Sequence, residues 1–325
     1  MKKTLIAMAV LAASGASFAQ SSVALTGNFT TGYETRQAGS AAVRTGGLGV
    51  DTAAIKLVAS EDLGGGLKAS AQVTLGGMMR DGAGTGEDAN LTLEGSFGKI
   101  VLATVETTGS GIVPRAAAGA PGYDLQGRVY SANSNIDIVS YTTNELAPGL
   151  KLSVNYVDRG ALTGSGLNAG TSGAAVATPS FGIAVAYALG KVSAGADYTS
   201  WTRQGDALVA VSTAADSRVR ISGNYDLSVA KIGAGYSRLV ATNGGITTET
   251  AYGVSLPIGA ITLGAQYGTK STDSTVATQV DSKGYTLGAQ YDLSKRTNVS
   301  VSMYNFDTLA TKDQTGTRVF VSHSF

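Results

Sequence analysis

The chain has 325 residues, with 44 Gly, 5 Pro, no Cys and a formal net charge of +1. Absence of Cys excludes disulfides, zinc–thiolate sites and cysteine nucleophiles, and the balanced charge offers no basic patch for nucleic-acid binding. Abundant Gly with so little Pro and no third-position repeat excludes a collagen helix.

The first segment reads MKKTLIAMAVLAASGASFAQ, with a basic start at Lys2 and Lys3, an apolar run from Leu5 to Ala13, and Ser17 and Ala19 flanking Phe18. That is the layout of a secretory signal peptide cleaved after Ala19, and its apolar part is shorter than the ~20 residues of a membrane-spanning helix. The expected division is residues 1–19 as signal peptide and 20–325 as one continuous domain, since no linker or shift in composition interrupts the rest.

From there one unit recurs: about ten residues of alternating character, then a turn or loop. In VALTGNFTTGYE, Val23, Leu25, Phe29 and Tyr33 share one face, and Thr26, Asn28, Thr30 and Glu34 the other. LKASAQVTL from Leu67, the run from Leu150 to Tyr156 and the run from Ile261 to Tyr267 repeat the pattern. Strands are expected near residues 29, 55, 71, 92, 103, 139, 153, 184, 197, 221, 235, 252, 264, 287, 301 and 321. Tight turns follow EDLGGG, SFGK, ELAPG, AYALGK, NYDLSV, LPIGA and QYDLSK, three of them just after the apolar-face Tyr187, Tyr225 and Tyr291. Eight longer connections rich in Gly, Ser, Thr, Asn and Asp alternate with these seven turns.

Sixteen antiparallel strands, joined tightly at one end and loosely at the other, predict an all-β transmembrane barrel with short periplasmic turns and long extracellular loops. The final RVFVSHSF alternates Arg318, Phe320, Ser322 and Ser324 with Val319, Val321, His323 and Phe325 to the last residue. In lipid every backbone polar group must be paired within the protein, so this last strand is expected to close against the first. Phe325 then joins Tyr187, Tyr225 and Tyr291 in the periplasmic aromatic girdle.

The signal segment, the SEDLGGGLKASAQ hairpin, the Tyr-turn units and the terminal SHSF resemble the trimeric general porins of betaproteobacterial outer membranes, along the whole chain. The resemblance implies a homotrimer of sixteen-stranded barrels in the Gram-negative outer membrane, with lipid and lipopolysaccharide around it. It also implies a third loop folded into each lumen and a terminal Phe325 read by the barrel-assembly machinery. The function implied is passive diffusion of small hydrophilic solutes and ions without a cofactor. A substrate-specific channel, or a surface structural or adhesive barrel with a closed lumen, are the alternatives.

A pore selects by its width and its charged walls. The matching third loop runs from Gly109 to Asn135 and carries Arg115, Asp124 and Arg128. Alternation places Arg36, Lys56, Lys68, Lys151, Arg218, Arg220, Lys231 and Arg318 on the lumenal side, with Glu34, Glu94, Asp197, Asp226 and Glu249. Arg218 and Arg220 either hold anions or pair with acidic neighbours. Thr52 and Lys56 in the second strand, and Thr104 and Glu106 in the fifth, stand where such porins carry lumenal arginines, and the acidic motif that opens the third loop is missing. The expectation is therefore a weak anion preference. The single imidazole, His323, lies on the apolar face beside Phe325, which argues against a hydrolase. Glu61, Asp62, Glu87 and Asp88 fall in turn or loop positions and are expected to be solvated, with Glu87 and Asp88 the one place for Ca²⁺ or lipopolysaccharide contacts.

Overall fold

The computed structural model describes residues 21–39, 42–78, 82, 84–107, 110–158, 179–202, 215–273, 280–308 and 312–325. The expected signal peptide lies outside these residues. Alternating sequence builds sixteen strands: β1 (Ser22–Ala38), β2 (Thr45–Gly64), β3 (Leu67–Gly76), β4 (Thr85–Gly95), β5 (Gly98–Thr107), β6 (Ser134–Thr142), β7 (Leu150–Asp158), β8 (Ser180–Leu189), β9 (Val192–Trp201), β10 (Ala215–Asp226), β11 (Lys231–Ala241), β12 (Ile246–Ile258), β13 (Ile261–Asp273), β14 (Val280–Asp292), β15 (Thr297–Asp307) and β16 (Gln314–Ser324). Every strand pairs antiparallel with its neighbours in sequence, and β16 pairs with β1, so the sheet is a closed barrel. One short helix, α1 (Val113–Ala116), lies between β5 and β6.

The outer surface carries the large apolar side chains. Leu25, Phe29, Leu57, Val73, Leu91, Leu102, Leu152, Ile221, Leu263 and Val321 are all exposed there. A soluble sheet would bury such a row against a second layer; here it covers the outside of a closed cylinder, which suits hydrocarbon.

Closure is tied at the chain terminus. The Gly27 amide donates to the Phe325 carbonyl at 2.9 Å, and the Phe325 amide donates to the Gly27 carbonyl at 3.0 Å. The Phe325 ring lies where a β-carbon at position 27 would stand, so the seam needs glycine at that point.

The structure amends two details. The connection 242–245 between β11 and β12, expected to be long, has four residues, closed by Gly245 donating to Asn243 Oδ1 at 2.9 Å and by Gly244 at φ 83°. In β2 the register slips opposite Thr30 and Thr31, and this bulge adds Asp51 to the lumenal groups, bonded to Arg318.

Gly27→Val is expected to displace the Phe325 ring and open the seam, at a cost of about 1–3 kcal/mol, the usual range for forced overpacking. Heat-modifiable electrophoretic mobility of the barrel checks this. The variant should unfold at lower temperature than the parent, and an unchanged midpoint would contradict the seam.

Candidate functional site

The segment 110–133 between β5 and β6 folds back into the barrel and lies along the inner wall of β9–β16. Glycines on the lumenal face of that wall make room for it. A β-carbon at Gly233 or Gly253 would stand 2.5 Å from the Ala116 carbonyl oxygen, and one at Gly264 would stand 2.5 Å from Pro121 Cδ. One at Gly195 would stand 2.8 Å from the Arg115 guanidinium carbon. The loop backbone therefore runs in a track that any larger residue would fill.

Hydrogen bonds fasten it at each strand it crosses. Asn224 of β10 donates to the Arg115 carbonyl (3.2 Å), Ser255 of β12 to that of Ala118 (2.7 Å), and Gln266 of β13 to that of Ala120 (2.9 Å). Thr286 of β14, fully buried, accepts from the Tyr123 amide at 2.7 Å. The chain then turns back: Tyr130 donates to the Tyr267 carbonyl (3.3 Å), and both the amide and hydroxyl of Ser131 donate to Glu249 Oε1 (2.7 Å each). Burial, reinforced by Glu249, raises the Tyr130 phenol above the ordinary tyrosine range, so it remains a donor. Ile112, Leu125, Val129 and Tyr130 are buried between loop and wall, in a small apolar core that a bare barrel would not have.

At its furthest reach the loop meets an aromatic cluster. Tyr123 stacks on Tyr304 with ring centroids 4.0 Å apart and on Phe306 at 6.1 Å. Tyr304 and Phe306, on the inner face of β15, are each 3% exposed. The Tyr304 ring lies over Gly316, and the base of the Phe306 side chain over Gly284, where a β-carbon would collide with each.

The candidate charges fall into two groups. Arg220 is paired with Asp197 at 2.9 Å and donates to the Ser110 carbonyl at 3.4 Å. Arg318 is paired with Glu34 (3.3 Å) and Asp51 (2.7 Å), and Arg218 lies 5.5 Å from the centre of the Trp201 ring. Lys231 reaches Asp226 at 3.8 Å beside a short turn. In contrast, Arg36, Lys56, Lys68, Lys151, Arg115 and Arg128 make no ion pair among the described residues. Arg115 rests on the backbone at Gly195, and Arg128 donates to the Tyr123 hydroxyl at 3.2 Å. Asp124 closes a local turn by accepting from the Gln126 amide at 2.9 Å. Glu94 stands in register between Lys68 and Lys99.

Two expectations about orientation change. Thr104 and Glu106 of β5 share the outward face with Leu102; Thr104 donates to Asp137, and the Glu106 amide to Asp88 Oδ1 at 2.8 Å. The lumenal row of β5 is Val101, Ala103 and Val105. Glu87 lies over Gly76, and among the described residues no group of three or more acids or histidines is arranged to hold a metal. Tyr187, Tyr225, Tyr291 and Phe325 all stand exposed on the outside next to short turns. His323 shares that outer face and pairs with the Thr297 hydroxyl at 2.9 Å.

A closed sixteen-stranded barrel with a loop laid along its inner wall defines the porin class of outer-membrane channel. The Gram-negative porin family model matches residues 4–311, and the chain belongs to that family. A curated relative, outer membrane porin protein 32 of Delftia acidovorans, is 41% identical over 116 residues, so the match spans 31% of this chain and 31% of the relative. Among solved structures, the anion-selective porin from Comamonas acidovorans aligns with a TM-score of 0.69 at 22% identity, over 94% of this chain and 100% of that one. A loop-deletion mutant of OmpT from Vibrio cholerae (TM-score 0.67, 16% identity, 94% and 99% coverage) and a mutant of the Rh. blastica porin (0.65, 19%, 94% and 100%) share the fold. The protein is accordingly placed in the Gram-negative outer membrane.

Replacing Gly253 by Val should lift the loop from its track while the barrel still closes. Amide hydrogen exchange over residues 112–131 would then rise by at least tenfold over the parent, and unchanged exchange would contradict the track.

Proposed function

We propose that the protein is a diffusion channel for small hydrophilic solutes and ions, with a weak preference for anions and no catalytic step. The observation that carries this is the one-sided seating of the third loop. Its hydrogen bonds and close approaches fall on β9–β16, which leaves the wall of β1–β7 to line the path. That wall bears cations without ion pairs among the described residues, Arg36, Lys56, Lys68, Lys99 and Lys151, against Glu94 and Asp62, and the loop adds Arg115 and Arg128 against Asp124. Of the Arg218 and Arg220 pair read from sequence, Arg220 is neutralised by Asp197, and the lumenal Arg318 is neutralised by Glu34 and Asp51, so the preference is set by the remaining excess and is modest. The aromatic cluster of Tyr123, Tyr304 and Phe306 is a compact stack under the loop, not a ladder along the lumen, which favours general diffusion over a substrate-specific channel.

The barrel is proposed to work as a homotrimer. Outward tyrosines stand on β7, β9, β11, β12, β13 and β14 (Tyr156, Tyr198, Tyr236, Tyr252, Tyr267, Tyr285), as expected of strands meeting lipid headgroups. Strands β2–β5, a contiguous quarter of the barrel, contain no aromatic residue. Their outward Leu, Val and Ala side chains, such as Leu57, Ala71, Val73 and Leu91, suit contact with protein, and a second copy of the chain supplies a matching surface. Phe325 is proposed to be read by the assembly machinery while its ring seats on Gly27, residues 1–19 to be a cleaved signal peptide, and His323 to be an interfacial residue without catalytic role. Loss of heat-modifiable trimer in Phe325→Ala would support the first of these, and a normal trimer level would refute it.

The diffusion reading is tested by the reversal potential of the purified protein in a planar bilayer under a salt gradient. A unit charge about 7 Å from a permeating ion in water contributes about 0.6 kcal/mol, roughly threefold in local anion concentration. Arg115→Ala should therefore reduce the anion-to-cation permeability ratio about two- to threefold. The preference should also shrink as salt rises from about 0.1 M to about 1 M, where screening shortens from ~10 Å to ~3 Å. A ratio indifferent to both changes would contradict the proposed charge path.

A further inference from the structure

We propose that Arg318 is a positioning residue that clamps the apex of the third loop, and so sets the channel's cross-section without itself contributing to ion selection. The inference rests on the diffusion-channel reading given above.

Its guanidinium lies 4.8 Å from the centre of the Tyr123 ring and 4.5 Å from that of Phe320, so it is held between an aromatic of the loop and one of the wall. Both carboxylates that reach it come from the barrel, Glu34 of β1 at 3.3 Å and the bulge residue Asp51 of β2 at 2.7 Å. Glu34 also accepts from the Tyr304 hydroxyl at 2.9 Å, and Tyr304 is the ring on which Tyr123 stacks at 4.0 Å. The network thus joins β15, β16, β1 and β2 to a single loop residue. Tyr123 is the furthest point of the loop along the wall: its amide is held by β14, and after it the chain turns back to β13 and β12.

Charge and shape assign different roles to Arg318 and Arg115. Two carboxylates neutralise Arg318, and its side chain is 19% exposed, so it presents little free positive charge to a passing ion. What it supplies is a planar cation that can stack on aromatic rings while bonding carboxylates at its edge. Lysine, a compact ammonium on a flexible stem, cannot do both. A loop apex released from this site would sweep the open side of the lumen, and the current would fluctuate with it.

Arg318→Lys and Tyr123→Leu both break the clamp while leaving the formal lumenal charge as it is. In each variant, verified as folded by heat-modifiable mobility, exchange of the amides in 116–131 should rise tenfold or more. Open-channel current noise should rise at least threefold, with the reversal potential at the wild-type value. Tyr123→Phe, which keeps the ring, should restore both readouts relative to Tyr123→Leu. Wild-type exchange in the two folded clamp variants would overturn the proposal. So would a shifted reversal potential accompanied by wild-type exchange, because Arg318 would then act through its charge. A wild-type protein that passed no current would refute the diffusion reading alone, since the exchange measurement still decides the clamp.

Discussion

The constraint on which the rest of this structure depends is that a sheet in hydrocarbon leaves no backbone donor or acceptor unpaired. It forces β16 back onto β1 and fixes the last residue as part of the ladder, where Phe325 exchanges two backbone hydrogen bonds with Gly27. It also turns the ordinary logic of a soluble fold inside out. The apolar row of each strand faces outward, and the lumenal row is free to carry charges, hydroxyls and glycine. An inner wall of this kind has no core of its own, and the third loop supplies a local one through Ile112, Leu125, Val129 and Tyr130.

Glycine and aromatic residues are paired across that interior. Where the loop backbone passes, the wall offers Gly233, Gly253 and Gly264; where the lumen holds a ring, a neighbouring strand offers the flat surface of Gly32, Gly268 or Gly316. The abundance of glycine in the composition thus has two origins, turns at the rim and close approach inside. The same complementarity decides the electrostatics. A loop fixed to β9–β16 shields Asp197, Glu249 and their partners on that side, and the basic residues of β1–β7 that form no ion pair among the described residues are left facing the open space.

Much of the fold was legible because its signal is local. Alternation with period two gave each of the sixteen strands, and the Tyr residues before tight turns marked one rim. The inward row of β16, Arg318 and Phe320, followed from parity alone. What escaped was non-local. Asp51 became a lumenal group only through a bulge, which alternation does not encode, and Thr104 and Glu106 were assigned to the lumen when the register of β4 and β6 turns them outward. The inward aromatics Tyr304 and Phe306 run against the polar lumenal row that alternation predicts. Their signal was the opposing Gly316 and Gly284, visible only once strands are paired. Which arginines are free is likewise a matter of partners distant in sequence: Arg318 meets Glu34 and Asp51 from the other end of the chain.

The claim on which the functional account turns is that the third loop lies inside the barrel along the glycine track. The natural absence of cysteine allows a direct test. Lys270 of β13 reaches the Ser131 hydroxyl of the loop at 3.2 Å, a contact that involves no glycine of the track. In the double variant Ser131→Cys, Lys270→Cys, a short bismaleimide added to the folded barrel should tie the loop to β13, seen as a mobility difference between treated and untreated unfolded protein. Failure to cross-link, with both thiols open to a maleimide from the aqueous side, would put the loop away from that wall and contradict the account.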